Sequence, residues 1–284
     1  MQRRDFIKTG IMGTGMLVGA GFLGASQSPS PKSKRHRLHL DYEIHVASSK
    51  QTKMWIPLPL ATNYQQPSNL RVRGNYTHLE ARDTDQVPML HVVFDKQEPV
   101  KRVQVQVDVR QLEANSAGSD SQDLAHFLEP TRYIIINAET IKQAKELAGL
   151  SAKQSVDRYY AWAKEHGTTA TFVSLCRSAG IPAREVQGFE LGHQLALGVK
   201  AEVFLPNAGW VRYDLQGARN SKLDGRGRWI GDFVALNFQK DTPLDRFLID
   251  SFNGAFALID GDNLAYYDAS YFVQDLSYKT LHAV

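Results

Sequence analysis

Residues 174–214 read SLCRSAGIPAREVQGFELGHQLALGVKAEVFLPNAGWVRYD, and this stretch decides the fold. An apolar-rich run ending at Gly180, followed at once by Ile181 and Pro182, reads as a helix closed by a left-handed glycine cap and kept from resuming by proline. Arg184-Glu185-Val186-Gln187-Gly188-Phe189 then starts a strand. Residues 199–206 and 209–215 read as two adjacent antiparallel strands around the turn Pro206-Asn207-Ala208-Gly209. The expectation is a helix lying against an antiparallel sheet.

Three parts of this stretch resemble the core of the transglutaminase-like superfamily. They are Gly180-Ile181-Pro182-Ala183-Arg184, Ala201-Glu202-Val203 and Gly209-Trp210-Val211-Arg212-Tyr213-Asp214. The resemblance implies a papain-like core in which a cysteine opens the helix, a histidine stands three residues before the alanine of A-E-V, and an aspartate closes the last motif. It puts Gly198 at the histidine position and Asp214 at the carboxylate position. Counting back without a gap puts Glu165 at the cysteine position. Letting Gly167-Thr168-Thr169 stand for the family's G-x-C puts Thr169 there, with the loss of about one helical turn. Phe172, Leu175 and Arg177 fit the helix that follows.

Neither register offers a cysteine, and Gly198 offers no imidazole. Acyl transfer of this kind needs a thiolate activated by a helix N-terminus and an imidazole, the imidazole itself, and a carboxylate to orient it. Only Asp214 remains of the three. Active relatives also carry a long insertion ahead of the cysteine helix that helps to form the cleft. Here Ala163-Lys164-Glu165-His166 runs directly into Gly167-Thr168-Thr169.

Outside this core the composition is that of a globular protein. The 284 residues, 43% hydrophobic and 22% charged, suffice for a sizeable core and two domains, and they exclude a disordered or fibrous class. Of the formal charge of +3, Arg3, Arg4, Lys8 and Asp5 supply two units, so the remainder lacks the basic footprint of a nucleic-acid binder. That basic start, Arg3-Arg4-Asp5-Phe6-Ile7-Lys8, resembles a twin-arginine export signal. A glycine-rich apolar run follows, then the small residues Gly24-Ala25-Ser26. The run is short and glycine-broken for a stable span. The expected location is periplasmic or extracytoplasmic, with membrane contact only through this segment if it is retained. The single cysteine, Cys176, excludes an internal disulfide and reads as a buried helix thiol.

The expected organisation is a signal over 1–26, a linker over 27–37, a β-sandwich over 38–113, a linker over 114–128, and the transglutaminase-like core with an aromatic-rich extension over 129–284. The fold class is thus α+β. Alternation of period two carries the sandwich, clearest in Val103-Gln104-Val105-Gln106-Val107-Asp108-Val109. This region also resembles the segment ahead of the core in some secreted bacterial transglutaminase-like proteins, through Trp55-Ile56-Pro57-Leu58-Pro59, Tyr64-Gln65 and Gly74-Asn75-Tyr76. Helical patterning runs from Ala138 to Leu147 and from Ser155 to His166.

The candidate functional residues follow from these motifs. His193 stands five residues before Gly198, roughly 16 Å along a strand, and serves as a base only if a loop folds it back. Thr169 offers a hydroxyl nucleophile that needs such a base, or else a helix N-cap. Asp214 is either the surviving triad carboxylate or a strand-end group that accepts backbone hydrogen bonds or pairs with Arg184 or Arg212. Arg184, Asp214, Arg219 and Lys222 are candidates for holding a carboxylate or phosphate at the cleft mouth. The nine histidines show no H-x-x-x-H spacing, so no metal and no cofactor are expected. The reading that follows is a non-catalytic exported protein that binds a peptide, a cell-wall fragment or an envelope protein. One alternative is an amide-bond hydrolase or acyltransferase rebuilt around Thr169, His193 or Asp214. Another is a structural module of an envelope assembly.

Overall fold

The computed structural model describes residues 33–46, 50–84, 87–112, 124–238 and 241–281. The signal expected over 1–26 lies outside them, as does most of the linker expected over 114–128.

Two sheets face each other in the N-terminal region. β1 (Lys34–His45) begins inside the stretch read as a linker, and its alternation buries His36, Leu38, Leu40, Tyr42 and Ile44. It lies between β6 (Val100–Gln111) and the C-terminal strand β15 (Phe272–Leu281), all antiparallel, with β3 (Gln65–Gly74) beyond β6. The facing sheet contains β4 (Tyr76–Thr84), β5 (Val87–Phe94), β2 (Thr52–Pro57), β13 (Phe256–Ile259) and β14 (Asp262–Asn263). Leu38, Leu40, Val105 and Val107 of one sheet pack with Met54, Ile56, Val92 and Phe94 of the other. Pro57 closes β2, where its missing N–H breaks no interior ladder.

The C-terminal strands return to these two sheets, so Lys32–Val284 form one compact unit. The aromatic extension contributes Phe252 and Phe256 beneath Trp55, while Phe272 stacks on Tyr42. The short strands β11 (Thr242–Leu244) and β12 (Phe247–Ile249) pair as a hairpin, whose Leu244, Phe247 and Ile249 join the same outer-face cluster.

The core expected from residues 174–214 is present. Its sheet runs β10 (Asp232–Asn237), β7 (Ala183–Leu191), β8 (Leu195–Leu205), β9 (Gly209–Tyr213), antiparallel throughout. Helices α1 (Ala138–Glu146), α2 (Ala152–His166) and α3 (Thr169–Ser178) share a core with it, in which Val156, Tyr160, Phe172, Val173 and Cys176 meet Ala201, Val203 and Tyr213. Gly180 follows α3 at φ +72, the left-handed conformation that glycine adopts without penalty, and its N–H bonds the Arg177 carbonyl. The other side of the sheet holds a second, aromatic cluster containing Tyr64, Phe127, Trp210, Phe233 and Phe238.

Candidate functional site

Of the two positions that the resemblance offers for the cysteine, Glu165 lies near the end of α2 and Thr169 opens α3. Thr168, extended at φ −126 and ψ 179, is the N-cap: its hydroxyl accepts from the Thr171 N–H, and the Thr171 hydroxyl accepts from the Thr168 N–H in return. The cap thus stands one residue before Thr169, the position expected from the sequence, and Thr169 belongs to the first helical turn. Seven residues on, Cys176 is wholly buried, and burial pushes its thiol far above the ordinary range, so it offers no nucleophile.

Gly198 sits on β8 opposite Gly188 of β7. A Cβ built there meets Glu190 Cγ at 2.5 Å and Oε1 at 2.9 Å. Any side chain at this position, an imidazole included, collides with Glu190 unless that residue turns away. The space belongs to the glutamate.

Asp214 directly follows β9, which stops at Tyr213, and it accepts backbone hydrogen bonds as a strand-end carboxylate does; it is also the cap of the short helix α4 (Leu215–Ser221). Its carboxylate is fully buried and accepts from the Gly217 N–H at 2.7 Å and from the Ile230 N–H at 2.9 Å. The arginines considered as its partners are elsewhere. Lys200, 2% exposed, fills the role, with Nζ 2.7 Å from Asp214 Oδ2 and 2.8 Å from Glu190 Oε1. Two carboxylates thus hold one buried ammonium, and the Asp214 oxygens that would orient an imidazole are committed to a cation and two backbone amides. Sequence reading passed over Lys200 and Glu190. The available signal was that Lys200 stands at an even spacing from Gly198 and so shares its face of β8.

The other sequence candidates are dispersed. His193 is exposed in the turn between β7 and β8, at the opposite end of β8 from the β9 hairpin. Arg184 is 3% exposed: its Nε and Nη2 donate to Glu202 Oε2 at 2.9 and 2.7 Å, and its guanidinium lies 3.9 Å from the Trp210 ring centre and 3.5 Å from that of Phe238. This planar cation is enclosed by rings and a carboxylate. On the other side of Glu202 in the sheet, Arg212 lies 4.2 Å from the Tyr64 ring centre and 5.0 Å from that of Trp229. Burial, with Glu202 nearby, keeps the Tyr64 hydroxyl protonated far above its usual range. Arg219 caps the end of α2, donating to the carbonyls of Ala163, Lys164 and Gly167.

Lys222 alone of the four ligand-binding candidates faces an open depression. It lines a hollow of about 230 Å³ with Tyr160, Lys164, Leu223, Asp224 and Arg226. Asp224 and Arg226 neutralise each other there through side-chain hydrogen bonds of 3.0 Å, so Lys164 and Lys222 set the sign of the hollow.

Similarity to other proteins agrees with this fold. Residues 110–215 match the core of the transglutaminase-like superfamily. The fold of this stretch is transglutaminase-like. A candidate cysteine protease of Cytophaga hutchinsonii has a similar crystal structure, with a TM-score of 0.60 at 14% identity over 89% of this chain and 92% of that one. An uncharacterized protein of Haemophilus influenzae is 22% identical over 85% of this chain and 89% of its own length. The structural likeness extends beyond the matched core into the N-terminal sheets.

Proposed function

We propose that this transglutaminase-like chain is an exported, non-catalytic protein that binds a peptide, a cell-wall fragment or an envelope protein. The observation that carries the reading is the Glu190–Lys200–Asp214 cluster, in which the surviving carboxylate of the triad is bonded to a buried ammonium while Glu190 fills the space beside Gly198. Restoring an imidazole there requires displacing charges that satisfy one another. The hollow beside α4, where Lys164 and Lys222 stand, favours a ligand bearing a carboxylate, such as a peptide terminus or a cell-wall stem peptide. The export signal, read from Arg3-Arg4-Asp5-Phe6-Ile7-Lys8, supports an extracytoplasmic setting in which such ligands occur.

Calorimetric titration of the purified chain with stem peptides, carrying either a free or an amidated carboxy-terminus, tests the proposal. Binding of the free acid, weakened in Lys222→Ala and by amidation, is the expected outcome. Equal affinity for both forms, or release of cleaved peptide during the titration, contradicts it.

A further inference from the structure

A second constellation lies well away from this site, on the outer face of the sheet that contains β4 and β5. His78 and Glu80 are two residues apart on β4 and so project to the same side. Glu80 stands directly opposite His91 on β5, and Trp55 of β2 stands on the other side of His91 in the same ladder. One potential ligand atom from each of His78, Glu80 and His91 lies within 4.8 Å of the other two. The His91 ring stacks on the indole of Trp55, with centres 4.9 Å apart, which fixes its plane.

Both ring nitrogens of His91 are shielded from solvent, and neither has a hydrogen-bond partner among the described residues. A neutral imidazole carries one N–H donor and one acceptor, and leaving both unmet in a buried position costs free energy that native proteins ordinarily avoid.

We propose that His78, Glu80 and His91 form a binding site for one divalent transition-metal ion of the zinc class. Two imidazole nitrogens and a carboxylate oxygen suit zinc, nickel or copper, whereas magnesium and calcium prefer all-oxygen shells. Ligand bonds of about 2.0–2.2 Å require the three atoms to close up by roughly 1 Å. His78 and Glu80 are exposed, 3.8 Å apart at their nearest ligand atoms, and can make that adjustment once Glu80 leaves Arg82, while His91 stays anchored on Trp55. Three protein ligands leave a further position for water or for a group from a partner.

Arg82 opposes the ion. Its Nη2 lies 2.6 Å from Glu80 Oε2 and competes for the carboxylate. Removing this guanidinium therefore tightens metal binding, a gain that a merely structural role for Arg82 does not predict.

The test is a zinc titration of the tag-free full chain, with nickel quenching of tryptophan emission as a second readout through Trp55. One equivalent of zinc is expected to bind, and millimolar magnesium or calcium is not expected to displace it. Losing a direct ligand in His78→Ala or His91→Ala should weaken affinity by at least about 100-fold, the upper range seen on losing even an outer-sphere partner. Arg82→Gln should tighten it about fivefold, in line with the release of one exposed ion pair. His78→Ala is at an exposed position and keeps the test decisive if His91→Ala fails to fold, as judged by circular dichroism. The proposal is overturned by absent or non-stoichiometric zinc binding, by unchanged affinity in His78→Ala, or by an Arg82→Gln chain that binds zinc no tighter.

Discussion

Replacing Lys200 with methionine removes the ammonium while keeping most of the side-chain volume against Phe233, whose ring centre lies 5.6 Å from Nζ. Asp214 is then left as a fully buried carboxylate with two backbone donors, Gly217 and Ile230. Breaking a buried ion pair by deleting one partner costs about 3–5 kcal/mol. The lower end applies here, because Asp214 retains those two amides and Glu190, 41% exposed, can turn to water. A loss of about 3 kcal/mol corresponds to a melting temperature lower by about 6–12 °C in a unit of this size. Urea denaturation of Lys200→Met, Asp214→Asn and the double variant provides the assay. If the two residues satisfy each other, the double variant loses less than the sum of the single losses, by about 1–3 kcal/mol. Losses that add to within about 0.5 kcal/mol would refute the reasoning.

Two further outcomes follow from individual side chains. Cys176, wholly buried with its thiol pKa raised, should resist a thiol reagent at pH 8 until denaturant is added; rapid labelling of the folded chain would contradict its placement. The Arg37 guanidinium, 2.6 Å from Asp108, holds that carboxyl below its ordinary pKa, with Asn69 helping. The stabilisation is present above the unfolded value near 3.9 and is lost as the pH falls through the folded value. Asp108→Asn should therefore be less stable than the parent chain at pH 7, and acid titration of both should show the gap closing below about pH 4; a gap independent of pH would contradict it.

Much of the core was legible because its signals are local. Gly180 with Pro182 marks the end of a helix, and the tetrapeptide ending at Gly209 marks a hairpin, whichever side chains surround them. The absent imidazole was equally plain at Gly198. What replaced it was hidden, because Glu190 and Lys200 are ten residues apart and meet only through the pairing of β7 with β8. Lys200 is also buried on a strand, where a lysine ordinarily signals a solvent face. Asp214 accepts the backbone hydrogen bonds expected of a strand-end carboxylate, but its cation is Lys200 rather than Arg184 or Arg212, and its role as a helix cap carries no signal in the motif. The His78, Glu80 and His91 cluster escaped spacing rules suited to helices and loops, since its members come from two paired strands. The density of rings over 229–284 speaks for packing back on the N-terminal region, as Phe272 on Tyr42 shows, but not for the pairing of β15 with β1, a contact between the two ends of the compact unit.

The cluster of Glu190, Lys200 and Asp214 occupies the space that the family resemblance would give to a catalytic imidazole and its carboxylate. Turnover by the purified chain, measured as ammonia release from a glutamine peptide with an amine acceptor and as cleavage of cell-wall peptides, decides whether any catalysis remains. Rates for the parent chain are expected to be no greater than those of Thr169→Ala and His193→Ala, with all three at the level of buffer alone. Turnover by the parent chain that either substitution abolishes would contradict the non-catalytic reading.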